Sequence, residues 1–129
     1  MIRTASTLRR PLAVALLAAA LLVTAFAGVA LAHVNFVSSS PAKNGTAKTT
    51  IKVATVTFSG QLKSGTLSIK KSGGAKVSVG AGARDPRNVK RILVSLKSGL
   101  KAGKYTATWT IVAGDGHKES GSYSFTLKN

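Results

Sequence analysis

Strict apolar–polar alternation near the end of the chain constrains the fold more than any other feature. Tyr105, Ala107, Trp109 and Ile111 alternate with Thr106, Thr108 and Thr110, and Tyr123, Phe125 and Leu127 alternate with Ser122, Ser124 and Thr126. A period of two puts apolar groups on one face and hydroxyls on the other, which describes a strand with one buried side and does not describe a helix. Shorter runs repeat the pattern at Leu67 and Ile69, at Val77 and Val79, and at Ile92, Val94 and Leu96. Residues 51–58 begin with odd positions apolar and end with even ones, so a bulge or a change of sheet partner is expected there. Turn signals separate the runs: Ser40-Pro41 to Asn44-Gly45, Ser64-Gly65, Ser72-Gly73-Gly74, Gly80 to Pro86, Ser98-Gly99 and Gly114 to Gly116. No helical period persists for three turns within 33–129. About seven short strands predict an all-β domain, an antiparallel β-sandwich or a small Greek-key barrel, with Trp109 as a core anchor.

The first 32 residues belong to a different class. Arg3, Arg9 and Arg10 make a basic start, an apolar stretch runs from Pro11 to Phe26, and Ala30-Leu31-Ala32 ends it with small residues. This is the pattern of a secretory signal peptide over 1–32, cut after Ala32. The alternative is an uncleaved anchor, because the apolar run is long enough for a bilayer, although Thr24 and Gly28 interrupt it. The expected product is an exported domain, 33–129, in the periplasm or extracellular envelope, tethered to the membrane if the leader stays. That length supports one core and no second domain. Cysteine is absent, so neither a disulfide nor a thiolate metal site can form.

Nineteen Lys and Arg face three acids, Asp85, Asp115 and Glu119, for a formal net charge of +16. The lysines are scattered rather than grouped, which describes a solvated surface drawn to anionic envelope polymers or lipid. Aromatic residues are few and no basic stretch interleaves with them, which argues against a nucleic-acid partner.

Only two histidines occur. His33 follows the expected cut and would become the first residue, offering a metal both its α-amine and its ring nitrogen. His117 lies in Asp115-Gly116-His117, between the two best strands. Read separately, the first is an exposed terminal residue and the second part of a hairpin turn, since Asp-Gly is a favoured turn pair. Read together, two imidazoles, an amine and the Asp115 carboxylate match the tetragonal N,O preference of Cu(II). Zn(II) accepts the same donors tetrahedrally. With no cysteine, and with Met1 the sole methionine, no soft Cu(I) site exists in the mature domain. Glu119, near this loop, reads as a solvated surface carboxylate, the alternative being a partner that orients His117 or meets Lys118, and no spacing argument makes Asn35 a ligand.

The chain resembles the CopC family of periplasmic copper-binding proteins. The likeness is carried by Ala32-His33 with Val34-Asn35-Phe36-Val37-Ser38-Ser39-Ser40-Pro41-Ala42, by Val56-Thr57-Phe58-Ser59, by Leu100 to Trp109, by Gly114-Asp115-Gly116-His117, and by Gly121-Ser122-Tyr123-Ser124-Phe125. It implies an immunoglobulin-like β-sandwich holding Cu(II) through His33, Asp115 and His117. Some relatives carry a glutamate donor at the position of Gly60, so that donor is missing here. Others carry a methionine-rich loop, whereas residues 72–90 contain no methionine. The resemblance also implies a separate CopD-like membrane copper transporter as partner. The expected function is non-enzymatic: copper homeostasis or resistance by storing or delivering Cu(II). The alternatives are a basic envelope-adhesion module and a copper-dependent oxygenase, the latter disfavoured by a charged ligand that fills the coordination sphere.

Overall fold

The computed structural model describes residues 33–129, and the leader expected over 1–32 lies outside them. The described residues form eight strands: β1 Phe36–Ser40, β2 Thr46–Lys48, β3 Val53–Phe58, β4 Leu62–Lys71, β5 Ser78–Asp85, β6 Asn88–Leu96, β7 Gly103–Ala113 and β8 Lys118–Lys128. They make two four-stranded sheets, ordered β1-β3-β6-β5 and β2-β8-β7-β4. The all-β sandwich expected from the alternation is therefore present. The strand count is eight because β2, three residues long, is too short to show a period. β2 also runs parallel to β8, pairing Thr46 to Thr126 and Lys48 to Lys128, in a fold that is otherwise antiparallel among the described strands.

The alternating runs bury the side they were expected to bury. Tyr105, Ala107, Trp109, Ile111 and Ala113 from β7 meet Tyr123, Phe125 and Leu127 from β8 and Leu67 and Ile69 from β4. Against them, from the other sheet, lie Ala54, Val56 and Phe58 of β3 and Ile92, Val94 and Leu96 of β6. Each of these large side chains contributes roughly 1.5–3 kcal/mol by leaving water, and no disulfide supplements them. Trp109 meets Phe58 edge to face across the sandwich, with ring centroids 4.9 Å apart and planes at 72°. Its ring also lies over Gly121, its cross-strand partner, where an added Cβ would collide with the indole.

Two local expectations are corrected. The parity switch in residues 51–58 is not a bulge: β3 pairs with β6 in unbroken register from Val53 to Thr57. Ile51 packs on the core from the turn before the strand, and the pleat starts afresh at Val53, which is 44% exposed. In this sheet a bulge does lie in β1, between Phe36 and Ser38, and turns Val37 out to solvent, and the β5–β6 register breaks as well, between Val79 and Ala83 and between Arg84 and Asp85. In the second case, Val79 faces outward and Ser78 is the buried residue. Its hydroxyl accepts the Ile69 N–H at 3.0 Å and so satisfies a donor of the facing sheet.

Candidate metal centre

One end of the sandwich gathers both histidines. The β7–β8 hairpin closes through Gly114–His117, with the Ala113 N–H donating to the His117 carbonyl at 2.8 Å and the Gly116 N–H to the Ala113 carbonyl at 2.9 Å. Gly116 has φ +93°, a conformation that side-chain-bearing residues rarely adopt. Asp115 folds back on the turn: Oδ1 accepts the His117 backbone N–H at 3.0 Å, and Oδ2 lies 2.9 Å from His117 Nδ1. A carboxylate only accepts, so Nδ1 carries the proton directed at Asp115 and Nε2 is the ring nitrogen turned away from it. The His117 backbone N–H, followed by its ring, holds the Asp115 carboxyl below the usual carboxylate range.

The start of the domain is stitched to the same end. Val34 is buried in the core beside Gly60, where an added Cβ would press on Val34 Cγ2 at 3.0 Å. Asn35 donates its N–H to Ser59 Oγ at 2.8 Å and receives the Ser59 N–H on its carbonyl at 2.9 Å. Two residues on, the Gln61 carbonyl accepts the N–H of Gly114 at 2.8 Å, which ties the connection before β4 to the hairpin loop. His33 thus projects from an anchored segment with its side chain 77% exposed, and His117 is 58% exposed.

Of the three residues expected to act together, the structure joins Asp115 to His117 and sets His33 against a different residue. His33 Nδ1 lies 4.0 Å from Glu119 Oε1. Glu119 is half-buried near the start of β8, on the face that also carries Tyr123 and Phe125, not a free surface carboxylate. Parity with Tyr123 and Phe125 was the available signal, because it places residue 119 on the core side of the strand. Among the described residues no three His, Cys, Asp or Glu side chains close into one metal-binding group. What the site has is two exposed imidazoles and two carboxylates at one end of the sandwich.

The charge distribution singles out this end. In a chain of net charge +16, cations are repelled from most of the surface. Asp85, the third acid, is buried and takes Arg91 Nη2 at 2.7 Å, Arg91 Nε at 3.0 Å and the Arg87 N–H at 2.9 Å. The carboxylates a cation can reach are therefore those beside the histidines. At the opposite end of β3, a cavity of about 420 Å³ is lined by Thr49, Ile51, Lys52, Leu96, Lys97 and Leu100, and it holds no acid or imidazole.

The CopC domain family model matches residues 36–128, a span that includes Asp115, His117 and Glu119. Protein YobA of Escherichia coli strain K12 is 30% identical over 99 residues, covering 75% of this chain and 80% of YobA, and YobA of Shigella flexneri matches equally. Among solved structures, CopC from Methylosinus trichosporium OB3b superposes with a TM-score of 0.65 at 24% identity, covering 74% of this chain and 94% of that one. PcoC, a methionine-rich copper resistance protein from Escherichia coli, superposes with a TM-score of 0.61 at 25% identity, covering 75% of this chain and all of PcoC.

Proposed function

The chain belongs to the CopC family, and from that premise we propose that it is an exported, non-enzymatic copper-handling protein that binds one Cu(II) and stores or delivers it. Its ligands are His33, through α-amine and imidazole, His117 through its imidazole, and the Asp115 carboxylate. The observation that carries this reading is the Asp115–His117 pair: the hairpin turn brings a carboxylate and an exposed imidazole together at the end of the sandwich where His33 also lies. The donors are nitrogen and oxygen alone, which suits Cu(II). Unlike the methionine-rich PcoC, this chain has a single methionine, Met1, and so offers no thioether set for Cu(I).

The reading requires processing, because the backbone nitrogen of His33 is a free amine only once Ala32 is removed. A leader over 1–32 and a periplasmic or other envelope location follow from it. Protons compete with the metal for amine and imidazole, so binding weakens in acid. The test is to establish the mature N-terminus by mass spectrometry, then to titrate Cu(II) into that protein and into one extended by a single residue. The expected result is one equivalent bound, with weaker binding and a changed EPR spectrum in the extended form. Identical affinity and spectra in the two forms would overturn the terminal-amine site.

A further inference from the structure

We infer that Glu119 is a fourth protein ligand of this site, its carboxylate joining the His33 imidazole on one ion. The inference rests on the copper-binding reading above and adds a residue to it. Its basis is a comparison of the chain's three carboxylates. Asp85 is saturated by Arg91 and the Arg87 amide. Both oxygens of Asp115 are engaged by His117. The Glu119 carboxylate, among the described residues, has no hydrogen bond, and the side chain nearest it is the His33 imidazole. In a chain with 19 Lys and Arg, a half-buried carboxylate that meets no lysine or arginine within ion-pair distance is a donor held open.

The spacing fits a shared ion better than a direct bond. At 4.0 Å, His33 Nδ1 and Glu119 Oε1 are too far apart for a hydrogen bond. First-row divalent ions bind histidine nitrogen and carboxylate oxygen at about 2.0–2.2 Å, so two such bonds across one ion span roughly 4 Å. The backbone holds Glu119 in this place. It pairs with Ile111 in the β7–β8 ladder, two residues beyond His117, with Gly121 and the overlying Trp109 next along the same face. Gly60, on the connection beside Val34, brings no side chain to the site. Beside Asp115, Glu119 is the second carboxylate at this end of the sandwich, and together they can balance the charge of a divalent ion.

Glu119 is the chain's single glutamate, so carboxyl-¹³C glutamate labels one group in the protein. Infrared difference spectra of the labelled, exported protein, with and without one equivalent of Cu(II), should show that carboxylate's stretching bands shifting on metal binding. Glu119→Gln, which keeps an acceptor beside His33 but loses the charge, should weaken Cu(II) binding 10-fold or more. Unmoved labelled bands, or a Glu119→Gln affinity within twofold of wild type, would overturn the inference while leaving the His33, Asp115 and His117 site standing. A wild-type protein that takes up no Cu(II), or a His117→Ala variant that binds as wild type does, would sink the copper reading and this inference with it.

Discussion

Replacing Gly121 by alanine tests whether the Trp109–Gly121 contact sets the packing behind the end that carries the histidines. The added Cβ would collide with Cζ2 of Trp109 and stand 2.8 Å from Cε2 and 3.2 Å from Cη2. The indole cannot retreat freely, because its other side meets Phe58 edge to face at 4.9 Å and Trp109 is only 9% exposed. The methyl must therefore be accommodated by off-rotamer side chains or a shifted strand, at about 1–3 kcal/mol. In a domain of this size each kcal/mol lowers Tm by about 4–8 °C. Urea unfolding followed by circular dichroism measures the cost, and fluorescence of the chain's single tryptophan reports displacement of the ring. A double-mutant cycle isolates the cause. Trp109→Leu alone should be destabilising, yet with the ring gone Gly121→Ala should cost nothing, or gain a few tenths of a kcal/mol from the stiffer unfolded chain. If Gly121→Ala cost the same in both backgrounds, the clash with Trp109 would not be the reason for the glycine.

Other outcomes follow from named contacts. Arg87 and Arg91 hold the Asp85 carboxyl below its usual range, so its contribution is present above about pH 4 and is lost as pH falls through the lowered value. Asp85→Asn should then be less stable than wild type at neutral pH, with the gap narrowing in acid melts. A gap that does not change with pH would place the loss elsewhere. Gly116→Val forces a β-branched residue to φ +93° and should cost about 1–3 kcal/mol by thermal melting, and under the proposed ligand set it should also weaken Cu(II) binding by disturbing the Asp115 turn. The exported domain, with 16 Lys and Arg against three acids once Arg3, Arg9 and Arg10 are removed, should bind anionic vesicles at about 0.01 M salt and release them toward 0.15 M, as the screening length falls from about 30 to about 8 Å. Co-sedimentation across that range measures it, and binding indifferent to salt would mean the charge is not responsible.

The core of the sandwich was legible because strand periodicity is a local property. Tyr105, Trp109, Phe125 and their alternates lie inward as the pattern requires. The errors fall where tertiary contacts override the pattern. Ile51 fills the core from a turn, Ser78 is buried because its hydroxyl serves a strand of the facing sheet, and β2 exists only because the end of β8 offers it a partner. The hairpin with Asp115 and His117 was legible for the same local reason, since Asp-Gly fits the turn and residues two apart can meet across it.

By itself, then, the sequence determined which residues can donate to a metal and which metals they suit: two histidines, three acids, no cysteine and a single methionine at position 1. It also determined the sandwich, because a face that repeats every two residues has to be buried against another such face. Only the tertiary structure decided which acids lie beside the histidines. Asp85 is sealed by arginine, Asp115 is engaged by His117, and Glu119, distant in sequence from His33, lies 4.0 Å from its ring. That pairing depends on how the segment anchored by Val34 and Ser59 crosses the end of the sandwich. No period or spacing within either segment encodes the contact, because it arises where two sheets meet.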